Sequence, residues 1–373
     1  MRERYGLLAG AAALLLSLTC DQARAQVSFK EFAEGCLITS MSADGSVAVG
    51  NYNAGADAFR WTAAGGVELI GVKGIFNGIS ISRDGSTIVG TVPDSTRNNH
   101  AAIWQGGRNW RTLTPFPEAV PSGGAHTVSF ANAVSADGSV IVGGAYVSTT
   151  KVVAFRWEAA TGMVNLGTFD EGPDSDSTAY AVSADGRNII GWDSKPGFSP
   201  AGPGGASMNG RRGAIWWDGK ERLLHAFGWA GEAWVTNDVG SIIAGQFHPL
   251  DASDPRKGAS SYLWTAWDGR FENLGAVPTL LGPNYISEPY GVSDDGSVVG
   301  GNSGGVDNKT ASIWTPATGM VSVSDYLTMN GVTDHLGWDG LIKTSYISPD
   351  GRLMAGVGYK PYPFLKGWIV TLK

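Results

Sequence analysis

The sequence predicts an all-β fold, a seven-bladed β-propeller of four-stranded blades closed by its N-terminal strand. Three observations carry this: one hairpin recurs seven times, an aromatic strand follows each copy, and the last unit is one strand short. The hairpins SMSADGSVAVG, SISRDGSTIVG, AVSADGSVIVGG, AVSADGRNIIG, WVTNDVGSIIAG, GVSDDGSVVGG and YISPDGRLMAG end at Gly50, Gly90, Gly144, Gly191, Gly245, Gly301 and Gly356. Asp-Gly between β-branched runs is a strong hairpin signal, because glycine accepts positive φ without steric cost. The turn aspartates Asp44, Asp84, Asp137, Asp185, Asp238, Asp295 and Asp350 lie 40 to 57 residues apart, the range of propeller blades. In the fifth copy Val239 separates Asp238 from Gly240. That predicts a turn one residue longer, with Thr236 in the serine's place.

Each hairpin supplies strands A and B of a unit. Strand C follows, with AFRW to Trp61, AAIW to Trp104, AFRW to Trp157, AIWW from Trp216, SYLW to Trp264, ASIW to Trp314 and KGWIV around Trp368. Strand D is short and apolar (VELIG, WRTLT, MVNLG, RLL, FENLG, MVSV). No helical 3.6-residue period of useful length appears after the N-terminus. The seventh unit runs A, B and C and then reaches Lys373. Its missing D strand matches VSFKEFAEG (27–35), which aligns with VNLGTFDEG (164–172), so the N-terminal segment is expected to complete the last blade. Such closure leaves no open sheet edge.

The repeated residues read as architecture. Tryptophans fill space between blades, and the turn serines Ser42, Ser82, Ser135, Ser183, Ser293 and Ser348 shape the hairpins. Seven equivalent positions suit a scaffold, whereas catalysis needs one asymmetric site.

Residues 1–25 have the layout of a secretory signal peptide: two arginines, an apolar run of 12 at 7–18, and Ala23-Arg24-Ala25 as cleavage site. The alternative is a lipid anchor on Cys20, against which Ser17 and Thr19 count. Cleavage removes three of 27 basic and two of 34 acidic residues, leaving 24 and 32 in a single propeller domain over 26–373. That negative balance, with no basic run, excludes nucleic-acid binding as an expected role. No membrane-spanning segment is expected in the mature chain. Cys36 alone survives cleavage, so neither an internal disulfide nor a cysteine-based metal site is expected.

The A-[IF]-x-W strand after a V-S-x-D-G-S-x-V-x-G hairpin resembles the HAF repeat of exported bacterial proteins. His100-Ala101-Ala102 comes nearest to the His-Ala-Phe form, while Asp57-Ala58-Phe59 and Val153-Ala154-Phe155 keep its last two residues. The resemblance implies export, to the periplasm or the cell surface, and a propeller-like fold. It implies no activity. HAFGW at 225–229 follows a D strand and is read as an incidental loop.

Asymmetry lies in the connections. The A–B turns and most C–D turns are short, and both leave one face. The long segments are all B–C connections (192–212, 247–258) or D–A connections (115–128, 169–178, 277–289, 324–340), which leave the other. Binding residues favour variable loops on a rigid scaffold, so function is expected on this loop-rich face. Its aromatic and acidic residues suit a carbohydrate. The expected ligand-binding residues are Asp170, Glu171, Trp192, Asp193, His248, Tyr285, Glu288, Tyr290 and His335. The run DEGPDSDS offers calcium ligands at Asp170, Asp174 and Asp176, but Pro173 and the spacing depart from an EF-hand loop, so no cofactor is expected. The histidines fall in separate loops without zinc spacing, and no P-loop or dinucleotide pattern occurs. The expected function is an exported binding module for a glycan or an extracytoplasmic protein. The alternative is a polysaccharide hydrolase or lyase using a pair of these carboxylates.

Overall fold

A computed structural model of the chain describes residues 26–53, 57–71, 79–169, 175–194, 210–224, 229–249, 258–278, 285–305 and 308–373. They form seven four-stranded antiparallel sheets. Six blades follow chain order A-B-C-D from the inside out. Their inner strands are Cys36–Met41, Ser80–Ile81, Ser129–Val134, Ser177–Val182, Trp229–Thr236 and Ile286–Val292. Blade 7 starts with inner strand Gly340–Ile347, and its outermost strand is Ser28–Glu31. That strand pairs with Leu365–Thr371 in the register Ser28↔Thr371 to Glu31↔Trp368, so the N-terminal segment closes the ring as its sequence predicts. Lys360 holds Glu31 at 2.7 Å, and the Phe29 ring meets Trp338 edge-on at 5.6 Å.

The repeated turn is a hydrogen-bonded unit. In blade 3 the Ser135 hydroxyl donates to Asp137 at 2.8 Å and accepts from the Val140 amide at 2.9 Å, while Asp137 accepts from the Ser139 amide at 3.0 Å. The serines are buried and committed to the turn, which leaves them no nucleophilic role. The fifth turn corrects the sequence reading. The Gly240 amide donates to the Asn237 carbonyl, as that of Gly138 does to Ser135, so the turn has the ordinary length. Asn237 stands in the serine's place and Val239 in the aspartate's. The Asn237 Oδ1 accepts from both Ser241 (2.9 Å) and Ile242 (3.0 Å), the work that a serine and an aspartate share elsewhere.

These turns are stitched into a ring around the central channel. Ala43 donates to Arg83, Asp84 to Ala136, Ala136 to Ala184, Ala184 to Asp238 and Asp294 to Pro349, all through backbone atoms. The Asp238 amide donates to the Asp294 carboxylate, and the Tyr346 hydroxyl returns to the Ser42 carbonyl. An Arg83–Asp238 ion pair crosses the channel between blades 2 and 5.

Strand C tryptophans pack each blade against its predecessor. Trp216 lies among Val140, Val142 and Ala154 of blade 3, and Trp264 among Ile190, Ile215 and Leu224 of blade 4. Burial of one such side chain is worth about 4–6 kcal/mol before the entropy of ordering it. The seventh copy departs from expectation. Trp368 pairs with Gly356, the place of Phe59 opposite Gly50, and Val370 fills the tryptophan slot opposite Met354. Gly356 makes room: a Cβ there would lie 2.3 Å from the Trp368 indole. The helix Val323–Met329 also lies where a loop was expected. Ser322 caps it by accepting from the Asp325 amide, and seven residues are too few to register as a helical period.

Candidate functional site at the loop-rich end of the channel

Among the described residues the inner strands of blades 1 and 3 to 7 carry a β-bulge at an equivalent position, and that of blade 7 has a second irregularity at Ile342. The extra residues at the equivalent position are Thr39, Asn132, Tyr180, Trp234, Tyr290 and Ser345, each three positions before the residue that caps its turn. A bulge re-aims a side chain, and here it turns these residues to the channel. The glycine that ends the repeat's V-x-G run makes the bulge possible. A Cβ on Gly143 would sit 1.9 Å from the Phe130 carbonyl oxygen, and one on Gly301 2.0 Å from that of Glu288.

The repeat thus builds one layer of channel side chains, and its composition is uneven. On blades 1 and 3 the bulge residues tie their neighbours together: Thr39 donates to the Ile79 carbonyl (2.6 Å) and Asn132 to that of Ala179 (2.8 Å). On blades 4 to 6 they are aromatic. Tyr180 stacks on Trp234 at 4.8 Å and 23°, and Trp234 meets Tyr290 edge-on at 5.3 Å and 72°. All three are half-buried and form a floor across half of the channel.

Two residues earlier on blades 5, 6 and 7, one step toward the loop-rich face, stand Glu232, Glu288 and Lys343. The equivalent residues of blades 1, 3 and 4 are Leu37, Phe130 and Thr178, so charge is confined to one wall. Glu232 is buried and ion-paired with Arg211, whose guanidinium lies 4.0 Å from the Trp192 ring centre. Burial pushes its carboxyl pKa up, and Arg211 opposes that rise. Glu288 accepts from the Tyr290 hydroxyl at 2.9 Å and from Lys309 at 2.7 Å. The Lys343 ammonium rests 3.6 Å from the Tyr290 ring centre. Burial brings its pKa down to about 8 against the pull of Glu288.

The structure sorts the expected ligand residues into groups. Glu288 and Tyr290 meet in this wall. Trp192 and Asp193 lie beneath it: Trp192 is buried under Arg211, and Asp193 is fully buried, pairing with Arg212 at 2.7 Å and accepting from the Phe169 amide. His248 is buried, which depresses its ring pKa. Tyr285 is half-buried, with its hydroxyl 3.3 Å from that of Ser260. His335 is buried in a 3-10 turn, Asp334–Gly337, against Phe29 and Thr328. Asp170 and Glu171 lie outside the described residues, as does Asp174. The third calcium candidate, Asp176, accepts from the Val152 amide at 3.0 Å. Among the described residues no group of three or more His, Cys, Asp or Glu is placed to hold a metal ion. Cys36 is buried, and burial raises its thiol pKa to about 12, which makes it unreactive.

Sequence reasoning missed Tyr180, Glu232, Trp234, Lys309 and Lys343. A signal was present: aligned on the turn, the bulge position varies from Thr to Trp within an otherwise regular strand.

No family model matches the sequence, and comparison with curated proteins finds no match. Solved structures share the fold. An oligogalacturonate lyase from Vibrio parahaemolyticus is 11% identical with a TM-score of 0.54, over 93% of this chain and 97% of that one. The β-propeller domain of the Trilobed protease from Pyrococcus furiosus is 9% identical with a TM-score of 0.52, over 93% and 95%. That domain is described as having an open velcro topology, whereas here Ser28–Glu31 closes the last blade. TolB from Acinetobacter baumannii is 12% identical with a TM-score of 0.45, and the match spans 79% of this chain but only 62% of that protein. At these identities the likeness shows the fold alone: the chain is a seven-bladed β-propeller of four-stranded antiparallel blades. No helix among the described residues is long and apolar enough to cross a membrane.

Proposed function

We propose that the protein is an exported β-propeller binding module that recognises a glycan at the loop-rich end of its channel. One observation carries the reading. The non-repeating channel residues gather there as an aromatic floor, Tyr180-Trp234-Tyr290, under a charged wall on blades 5 to 7. Apolar surface with a few convergent polar groups is the usual make-up of a small-ligand site. Aromatic rings match the C–H faces of a sugar, and fixed charges match its hydroxyls. Export rests on the signal-like segment 1–25 and on the resemblance to the HAF repeat.

The test is a glycan array with polysaccharide pulldown, repeated with Trp234→Ala. Binding that the substitution abolishes supports the reading. Binding that survives it places recognition elsewhere, and the absence of glycan binding favours a protein ligand.

Catalysis on a polysaccharide is the second reading, favoured by the neighbouring carboxylates Glu232 and Glu288. The raised pKa of Glu232 suits a general acid, whereas its burial and pairing with Arg211 suit a structural role. Release of new reducing ends, or of unsaturated product, lost in Glu232→Gln at unchanged melting temperature, would establish it.

A further inference from the structure

The charged wall is uneven in a way that points to a ligand class. Two of its cations are matched by anions, Arg211 by Glu232 and Lys309 by Glu288, and a third, Arg212, is matched by Asp193 beneath it. Lys343 is the fourth. Among the described residues it forms no ion pair and donates no hydrogen bond, and its close partner is the Tyr290 ring. Glu288 and Lys309 also act on it electrostatically, with opposite signs. Glu288 itself is taken up by Lys309 and the Tyr290 hydroxyl. Among the described residues the wall therefore holds one positive charge in excess, on a half-buried side chain beside the aromatic floor. An ammonium with no anion beside it costs free energy on desolvation. It recovers that cost when an anionic group enters, which is the general logic of charge pairing at a recognition site.

We infer that the glycan is an acidic one, and that Lys343 receives the carboxylate of a sugar ring seated over Trp234 and Tyr290. This rests on the glycan reading above. A carboxylated ring satisfies both halves of the well, with its apolar face on the aromatic floor and its charge at the unmatched cation. The apolar wall residues Leu37 and Phe130, on the far side of the channel, offer an anion nothing, so the orientation is fixed by Lys343. Glu232 and Glu288 stand where they repel a second carboxylate, so a single acidic unit occupies the well. Further units of a chain extend toward the loop-rich face.

The test is calorimetric titration of the purified protein with alginate oligosaccharides and with the same oligosaccharides after carboxyl reduction. Sulfated dextran serves as an anion without the carboxylate. The acidic form should bind at least about tenfold more tightly than the reduced form, the order of one charge-assisted contact. Lys343→Met should remove that preference, Lys343→Arg should retain most of it, and melting curves should show both variants folded. Equal affinity for acidic and reduced forms overturns the inference and leaves the glycan reading standing. A preference that persists in a folded Lys343→Met protein also overturns it, since the carboxylate would then be held elsewhere. Equally tight binding of sulfated dextran overturns the carboxylate assignment and leaves only a general anion site. If none of the sugars binds, the inference falls together with the glycan reading.

Discussion

The two ends of the channel are built from the same seven inner strands and carry opposite chemistry. At the plain end the sequence repeats, the turns are hydrogen-bonded into a ring, and the Arg83–Asp238 pair crosses the opening. At the loop-rich end six of the strands share one backbone course, including the bulge, yet their side chains differ from blade to blade. A bulge supplies a fixed direction without fixing the side chain placed on it. A repeat protein can thus hold its geometry constant and vary one position per blade to make an asymmetric site.

Removing residues 26–35 is the harshest test of the shared scaffold. It opens blade 7 and strips Phe29 from Trp338 and Trp368. The expected loss exceeds the roughly 3–5 kcal/mol of a Phe→Ala change in a core, and thermal melting should show the domain unfolded or far less stable. A truncated protein that melts like the parent would remove ring closure from the account.

Gly143→Ala tests the link between hairpin and bulge. Its Cβ would collide with the Phe130 carbonyl at 1.9 Å, and backbone cannot yield as a flexible side chain does. A cost of about 3 kcal/mol or more is expected in denaturant titration. The plain end should be indifferent to Trp234→Ala, which deletes the middle of the aromatic floor. About 2–3 kcal/mol is expected, below the cost at a fully buried tryptophan, together with loss of ligand binding.

Charge separates the ends in opposite pH ranges. The turn carboxyls of Asp44, Asp185, Asp295 and Asp350 are held below the usual aspartate value by hydrogen bonds from their turns, and that of Asp137 is brought down to about 2. Folded values below the unfolded one mean that these groups stabilise the fold above about pH 4. That contribution fades as pH falls toward 2, so acid melting should loosen the plain end. At the other end Lys343 loses its charge as pH rises through about 8, with Glu288, Lys309 and Tyr290 around it. Affinity for an acidic glycan should fall above that pH, while melting temperature should rise rather than fall with it, because a lysine whose folded pKa lies below its unfolded value adds stability as pH rises between the two.

The smallest effect sharpens the comparison within the plain end. Asp137→Ala should cost about 1 kcal/mol, the typical loss of a turn or cap hydrogen bond. Val239→Asp, which restores the consensus residue in the fifth turn, should change stability by less than about 0.5 kcal/mol because Asn237 already binds both amides. A gain of 1 kcal/mol from Val239→Asp would show that Asn237 only half replaces the serine–aspartate pair.

Much of this was legible in the sequence, and the misses have physical reasons. The Asp-Gly turns reveal themselves because positive φ selects glycine locally. The N-terminal D strand was found by alignment to another unit, since all seven blades solve one packing problem. The fifth turn was misread because an asparagine can do a serine's work at the same length, which residue identity hides and backbone hydrogen bonding reveals. Trp368 was placed in the wrong slot because spacing along strand C does not state which residue faces Gly356. Attention to the loops reached Glu288 and Tyr290, which lie on strand Ile286–Val292 but border the expected connection 277–289, and passed over Trp234 and Lys343, which lie beyond every expected connection.

The sequence by itself determined the number of blades, the strand order, the closure of the ring and the face on which asymmetry gathers. Each follows from local periodicity or from turn residues with a steric reason to be where they are. The tertiary structure alone decided that Arg83 meets Asp238 across the channel, that Tyr180, Trp234 and Tyr290 form one floor, and that Lys343 rests on the Tyr290 ring with no ion pair among the described residues. Those residues come from blades tens of residues apart. What brings them together is the circular arrangement of seven sheets, which no window of sequence contains.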